Sequence, residues 1–157
     1  MKQLNVIGLD QKHSEQLAER LNQLLANYQI FYMNVRGFHW NIKGKEFFEL
    51  HAKFEETYNE LLLKVDEIAE RVLTLGQRPL HAYSTYIEAS EIQESKDIHD
   101  GKACVREILD SYKITIRLQR EILELASEAG DEGTSSLMSD YIKEQEKTAW
   151  MLTSYLS

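Results

Sequence analysis

Apolar residues recur at helical spacing in four long stretches of the chain, with Gly, Pro or an acidic turn between them. Such a period predicts amphipathic helices, and glycine or proline just past the last apolar residue marks where each one ends. The first ten residues precede this pattern and are predicted to form a short arm. The four predicted helices run from about Lys12–Ser14 to the break at Lys43-Gly44-Lys45, from about Glu46 to Leu75, from Lys96 or Asp100 to Ala129, and from about Ser135 to Leu156.

The connection between the second and third helices is much longer than the other two. It covers residues 76 to 95, holds the only proline, Pro79, and includes a short helical segment near His81 to Ile87. A crossover of this size joins helices that run in the same direction. The pattern therefore predicts an all-α, ferritin-like four-helix bundle with a long crossover that carries a short helix. No repeat or second apolar unit interrupts residues 1–157, so we expect one domain.

The second predicted helix has three faces where a helix in a monomeric bundle needs two. At about 100° per residue, one stripe is apolar and a second is charged, and we expect the charged stripe to face solvent. The third face mixes apolar and polar residues, which is typical of a subunit contact. The charged stripe comprises Glu49, Lys53, Glu56, Glu60, Lys64, Glu67 and Arg71. The third face comprises His51, Glu55, Tyr58, Asn59, Leu62, Asp66, Ala69, Glu70 and Leu73.

Two histidines and two acids on these helices have the chemistry of a metal site. His39 and His51 flank the break at Lys43-Gly44-Lys45, so an antiparallel hairpin returns them to the same height, while Asp66 and Glu70 share a helix face at i, i+4. His51 and Asp66 are fifteen residues apart, or roughly 22 Å along one helix. A second copy lying antiparallel across a twofold axis near Tyr58 would bring them together. We therefore expect two equivalent metal sites shared between subunits.

Net charge and composition limit the classes of partner that the chain is expected to bind. The formal charge of −8 disfavours nucleic acid and anionic lipid. No run approaches a membrane span, and the N-terminus lacks a signal-peptide pattern, so the expected location is the cytoplasm. The lone Cys104 is expected to be a small buried hydrophobe. We expect His13, His81 and His99 to be solvated, and Trp40 and Trp150 to be packing residues.

The chain resembles the Dps family of bacterial mini-ferritins over nearly its whole length. The specific block is Gly37-Phe-His-Trp-Asn-Ile-Lys-Gly44, followed by Phe47-Phe-Glu-Leu-His51 and Asp66-Glu-Ile-Ala-Glu-Arg71. This resemblance implies a ferroxidase centre with His39 and His51 from one subunit and Asp66 and Glu70 from its twofold mate. It places Glu55 at an additional carboxylate ligand and Trp40 beside the centre. It also implies a shell of twelve subunits that oxidises ferrous iron, preferably with hydrogen peroxide, and stores ferric mineral.

The sequence leaves two questions open. Asp131, Glu132 and Asp140 surround the start of the last helix, where they either interact with its dipole or line an iron-entry pore, as the resemblance implies. The alternative function is DNA compaction. Family members that bind DNA commonly use basic termini, whereas this chain has only Lys2 and Lys12 before the first helix. We expect DNA binding to be weak or absent.

Overall fold

The computed structural model describes all 157 residues and consists of helices, with two isolated β-bridges and no strand. Its helices are α1 (Gln11–Asn41), α2 (Phe47–Thr74), α3 (Tyr83–Ala89), α4 (Gly101–Glu128) and α5 (Glu132–Leu156). The predicted elements are all present. The start of α5 lies three residues before the predicted Ser135, and α4 begins one residue after Asp100, which decides against the alternative start at Lys96. No helix is long and apolar enough to cross a membrane.

Helix ends follow local chemistry. Asp10, Asp100 and Asp131 each accept a hydrogen bond from a backbone N–H in the first turn of the helix that they precede. Gly76 and Gly130 follow α2 and α4 in the left-handed region, with φ of +85° and +70°. The cap at Asp131 explains the early start of α5, because it satisfies the N–H of Thr134.

Two antiparallel hairpins, α1–α2 and α4–α5, pack together through α1 and α4, and α3 lies against α1. The core between them is one cluster of 29 buried residues. Its largest fully buried side chains include Tyr28, Phe31 and Phe54. This arrangement is the predicted bundle with its long crossover.

Three asparagines of α1 hold the crossover in place, a role that the sequence analysis missed. Asn22 and Asn34 each bond one backbone carbonyl and one backbone N–H of the connection. Asn27 accepts from the backbone N–H groups of Glu91 and Ile92. These contacts satisfy backbone groups that no regular element pairs, so a long loop packs closely on the bundle.

The charged stripe of α2 does not face solvent throughout, and that prediction was wrong. The Lys64 side chain is only 8% exposed, and its ammonium group lies 3.0 Å from Glu144 on α5. The Arg71 guanidinium pairs at 2.7 Å with Asp131 and donates to the Thr134 hydroxyl. Both long side chains reach across to α5, so the second half of this stripe is an interhelical contact.

Candidate metal centre

His39 and His51 meet across the α1–α2 hairpin. Their rings stack with centroids 3.8 Å apart and an interplanar angle of 11°. His39 lies in the last turn of α1 and is 8% exposed, while His51 lies in the second turn of α2 and is partly exposed. The hairpin therefore places the two imidazoles at one height, as the break at Lys43-Gly44-Lys45 predicts.

Reciprocal hydrogen bonds fix both rings. The Nδ1 of His39 lies 2.6 Å from the carbonyl oxygen of His51, and the Nδ1 of His51 lies 2.7 Å from the carbonyl oxygen of His39. A carbonyl oxygen only accepts, so each Nδ1 carries the hydrogen and donates it. In a neutral ring this leaves the Nε2 lone pair free. Histidines that bind metal are commonly oriented in this way, through the ring nitrogen that does not bind the ion.

Aromatic side chains form the walls around the two imidazoles. Phe47 stacks on the outer face of His51 at 4.9 Å, and Tyr58 meets His39 edge-on at 5.4 Å. The sequence analysis placed Tyr58 on the mixed face and Phe47 in the block that carries the family resemblance, without a role for either at the site. Their spacing of four and seven residues from His51 was the available signal, because such spacings share a helix face.

Asp66 and Glu70 lie together on the exposed third face of α2. A side-chain hydrogen bond with Asp66, and then repulsion from its charge, raise the pKa of Glu70. When each of two carboxyl groups disfavours ionisation of the other, a cation bound between them offsets the repulsion of their charges. Glu55 is exposed one turn after His51 on the same face.

The histidines and the acids do not meet within one chain. No group of three or more His, Cys, Asp or Glu side chains is placed to hold a metal ion. The structure brings His39 and His51 together and brings Asp66 and Glu70 together, while the rise of α2 separates the two pairs by roughly 22 Å. Each chain therefore carries a histidine pair and a separate carboxylate pair.

The interior of the bundle offers no alternative metal site. Its buried polar cluster comprises Tyr28, Thr115, Gln119 and Gln145, all neutral. Tyr28 donates to Gln119, Gln119 donates to Gln145, and Gln145 donates to Tyr28, while Thr115 also donates to Gln145. Metal sites within ferritin-like bundles use Glu and His instead. This interior cluster is closed on itself and presents no carboxylate or imidazole.

The prediction that Trp40 and Trp150 are packing residues is wrong for the single chain. Trp40 is 62% exposed beside the Arg36 guanidinium, which lies 4.8 Å from its ring, and Trp150 is 65% exposed. Neither packs into the core of the single chain. Trp40 follows His39 directly in the last turn of α1.

Asp131 cannot line a pore, because its side chain is 1% exposed and is committed to Arg71 and Thr134. Glu132 and Asp140 are exposed. Of the remaining histidines, His81 and His99 are exposed, whereas His13 is only partly exposed. His13 pairs with Asp10 at 2.9 Å, which departs from the expectation that it is simply solvated.

Comparison with known proteins agrees with this architecture. The ferritin-like domain matches residues 18–157. The DNA protection during starvation protein of Porphyromonas gingivalis is 41% identical, over 98% of this chain and 97% of that protein. The chain belongs to the Dps family of ferritin-like proteins. This membership confirms the predicted family and the all-α bundle.

Two solved Dps structures superpose closely on this Dps-family chain. The first is the Dps protein of Vibrio cholerae O1, described as a member of a broad superfamily of ferritin-like diiron-carboxylate proteins. It is 60% identical with a TM-score of 0.97, and the match covers 98% of this chain and 97% of that one. Dps from Staphylococcus aureus is 34% identical with a TM-score of 0.88, covering 91% and 96%.

Proposed function

We propose that this chain is a ferroxidase and iron-storage subunit that protects against oxidative damage. It oxidises ferrous iron, preferably with hydrogen peroxide, and stores ferric mineral in a hollow dodecamer built from twofold dimers. The observation that carries this proposal is the reciprocal bonding of His39 and His51, which frees both Nε2 lone pairs at one place. Support also comes from the diiron-carboxylate superfamily to which the Vibrio cholerae Dps protein is assigned.

Each proposed centre takes residues from two copies. His39, His51 and Glu55 come from one subunit, and Asp66 and Glu70 come from the α2 helix of its mate. Imidazole nitrogen and carboxylate oxygen together suit ferrous and ferric iron. The exposed apolar residues Leu62 and Leu73 on the same face, 46% and 57% exposed, favour a contact there.

In the proposed oxidation of ferrous iron, the main task of the protein is to bind the metal ions. Two ferrous ions each lose one electron. Hydrogen peroxide accepts both electrons together with two protons, and its O–O bond breaks to give two waters. The imidazoles and carboxylates bind iron and favour the higher charge of the ferric product, because anionic oxygen ligands stabilise a more highly charged ion.

Complementation between two inactive variants tests the shared centre. One variant carries His39→Ala and His51→Ala, and the other carries Asp66→Ala and Glu70→Ala. Each alone should be inactive in an anaerobic ferrous titration followed by peroxide. A heterodimer restores one of its two centres, so activity should return after the two proteins are unfolded, mixed and reassembled, in proportion to the heterodimers formed. Mixed assemblies that stay inactive would contradict a shared centre.

A second candidate function is DNA binding, which the names of the Porphyromonas gingivalis and Bacillus anthracis relatives favour. The charge of −8 per chain opposes direct contact with a polyanion. We expect no gel retardation of DNA at neutral pH and physiological salt without divalent metal. Retardation in that buffer would show that a basic surface forms on assembly and would favour the DNA function.

A further inference from the structure

Arg36 contains the one buried side-chain polar atom of this chain that lacks a hydrogen-bond partner, its Nε. The guanidinium is nonetheless held in place. Its Nη1 donates to the Tyr32 hydroxyl at 3.1 Å, and its carbon lies 5.1 Å from the ring of Tyr32 and 4.8 Å from that of Trp40. It forms no salt bridge, whereas a guanidinium of this kind suits a two-pronged bond to a carboxylate.

The height of Arg36 follows from two contacts across the α1–α2 hairpin. The first contact is the stacking of His39 on His51. The second joins Tyr32, seven residues before His39 on α1, to Tyr58, seven residues after His51 on α2, with ring centroids 5.8 Å apart. Arg36 therefore lies level with residue 54 of α2. In the shared centre of the proposed function, His51 lies level with Asp66 of a second copy, which places residue 54 level with residue 63 of that copy. Asp66 of the second copy is then about 4.5 Å from Arg36 along the helix axis, within reach of its side chain.

The negative charge on the third face of α2 requires a nearby cation if two copies are to associate through that face. Each copy contributes the exposed acids Glu55, Asp66 and Glu70, so a twofold contact brings two sets of carboxylates together. Like charges at an interface oppose association unless opposite charges face them. The neighbouring cations of α2 are already paired: Lys53 with Glu56, Lys64 with Glu144, and Arg71 with Asp131. Arg36 remains beside the face without an anion.

We propose that Arg36 is an interface residue that pairs with Asp66 of a second copy and holds the twofold contact together when no metal is bound. The inference rests on the shared centre of the proposed function and adds a protein cation to it. Its fixed charge offsets carboxylate repulsion before iron arrives, and its Nη2, whose partner within the chain is only the Met33 sulfur at 3.5 Å, supplies a donor for the carboxylate.

Assembly in metal-free buffer tests this pairing without reference to oxidation. Sedimentation across a dilution series gives the concentration at which half of the assembly dissociates. Arg36→Met should raise that concentration about tenfold or more. Arg20→Met is the matched control, since Arg20 also lies on α1 but pairs with Glu121 of its own chain, and it should leave the concentration unchanged.

A charge exchange identifies the partner. Arg36→Asp and Asp66→Arg should each dissociate the assembly, and the chain carrying both should reassemble, because the opposite charges face each other again with their positions exchanged. Circular dichroism establishes that each variant is folded. Unchanged assembly of Arg36→Met would overturn the pairing, and so would an exchange variant that stays dissociated. Failed complementation with a successful exchange would instead reject the shared metal centre and leave the pairing standing.

Discussion

Two polar regions of this bundle use hydrogen-bonding side chains in opposite ways. In the interior cluster of Tyr28, Thr115, Gln119 and Gln145, each donor meets an acceptor of the same chain. On the third face of α2 and at the adjoining end of α1, the carboxylates form no salt bridge within the chain and the histidine Nε2 atoms accept no hydrogen bond. A closed network rigidifies a core and leaves nothing to bind a ligand, whereas an incomplete one can bind a metal ion and a second subunit.

The comparison predicts that loss of the histidines removes function and spares the fold. His39→Ala with His51→Ala should slow peroxide-driven iron oxidation by at least about a hundredfold, since even residues that only orient ligands are worth 10- to 100-fold. Stopped-flow absorbance of ferric iron measures the rate. His81→Ala with His99→Ala, both at exposed positions, is the control and should oxidise iron normally. Equal rates in the two double variants would remove the histidine pair from the mechanism.

The interior cluster should show the reverse behaviour. Tyr28→Phe leaves Gln119 without its donor and Gln145 without its acceptor, so unfolding free energy should fall by about 1–3 kcal/mol. Thermal unfolding at a fixed protein concentration measures this loss, and iron oxidation should be unchanged. Tyr83→Phe, at an exposed position of α3, should shift stability by less than about 0.5 kcal/mol. Loss of iron oxidation in a correctly assembled Tyr28→Phe variant would make the interior cluster part of the site.

The reactivity of the Cys104 thiol measures how well the interior of the bundle excludes reagents. Burial raises the pKa of its thiol to about 12, so at pH 8 only about one thiol in ten thousand is ionised. Because the thiolate is the reactive form, the native protein should not react with a thiol-specific disulfide reagent at pH 8 within an hour. Unfolded protein should react in full. Rapid labelling of native protein would show that this end of the bundle opens to solvent.

Much of the site was predictable because it depends on short-range geometry. A hairpin that closes at Lys43-Gly44-Lys45 must return His39 and His51 to the same height, and the rise of a helix must separate His51 from Asp66. The reciprocal Nδ1 bonds were not predictable, because they depend on the distance between two helix axes. The unpaired Nε of Arg36 escaped the sequence analysis for the same reason.

The sequence by itself determined where the helices lie and where they end, since apolar period, aspartate caps and the glycines at 76 and 130 act within a few residues. Only the tertiary structure decided which neighbour covers each helix face. Lys64 and Arg71 belong to a charged stripe that a single helix directs to solvent, yet α5 packs over them and supplies Glu144 and Asp131. Asp131 is likewise buried. Periodicity reports that a face is polar, while the position of another helix decides whether that face meets water.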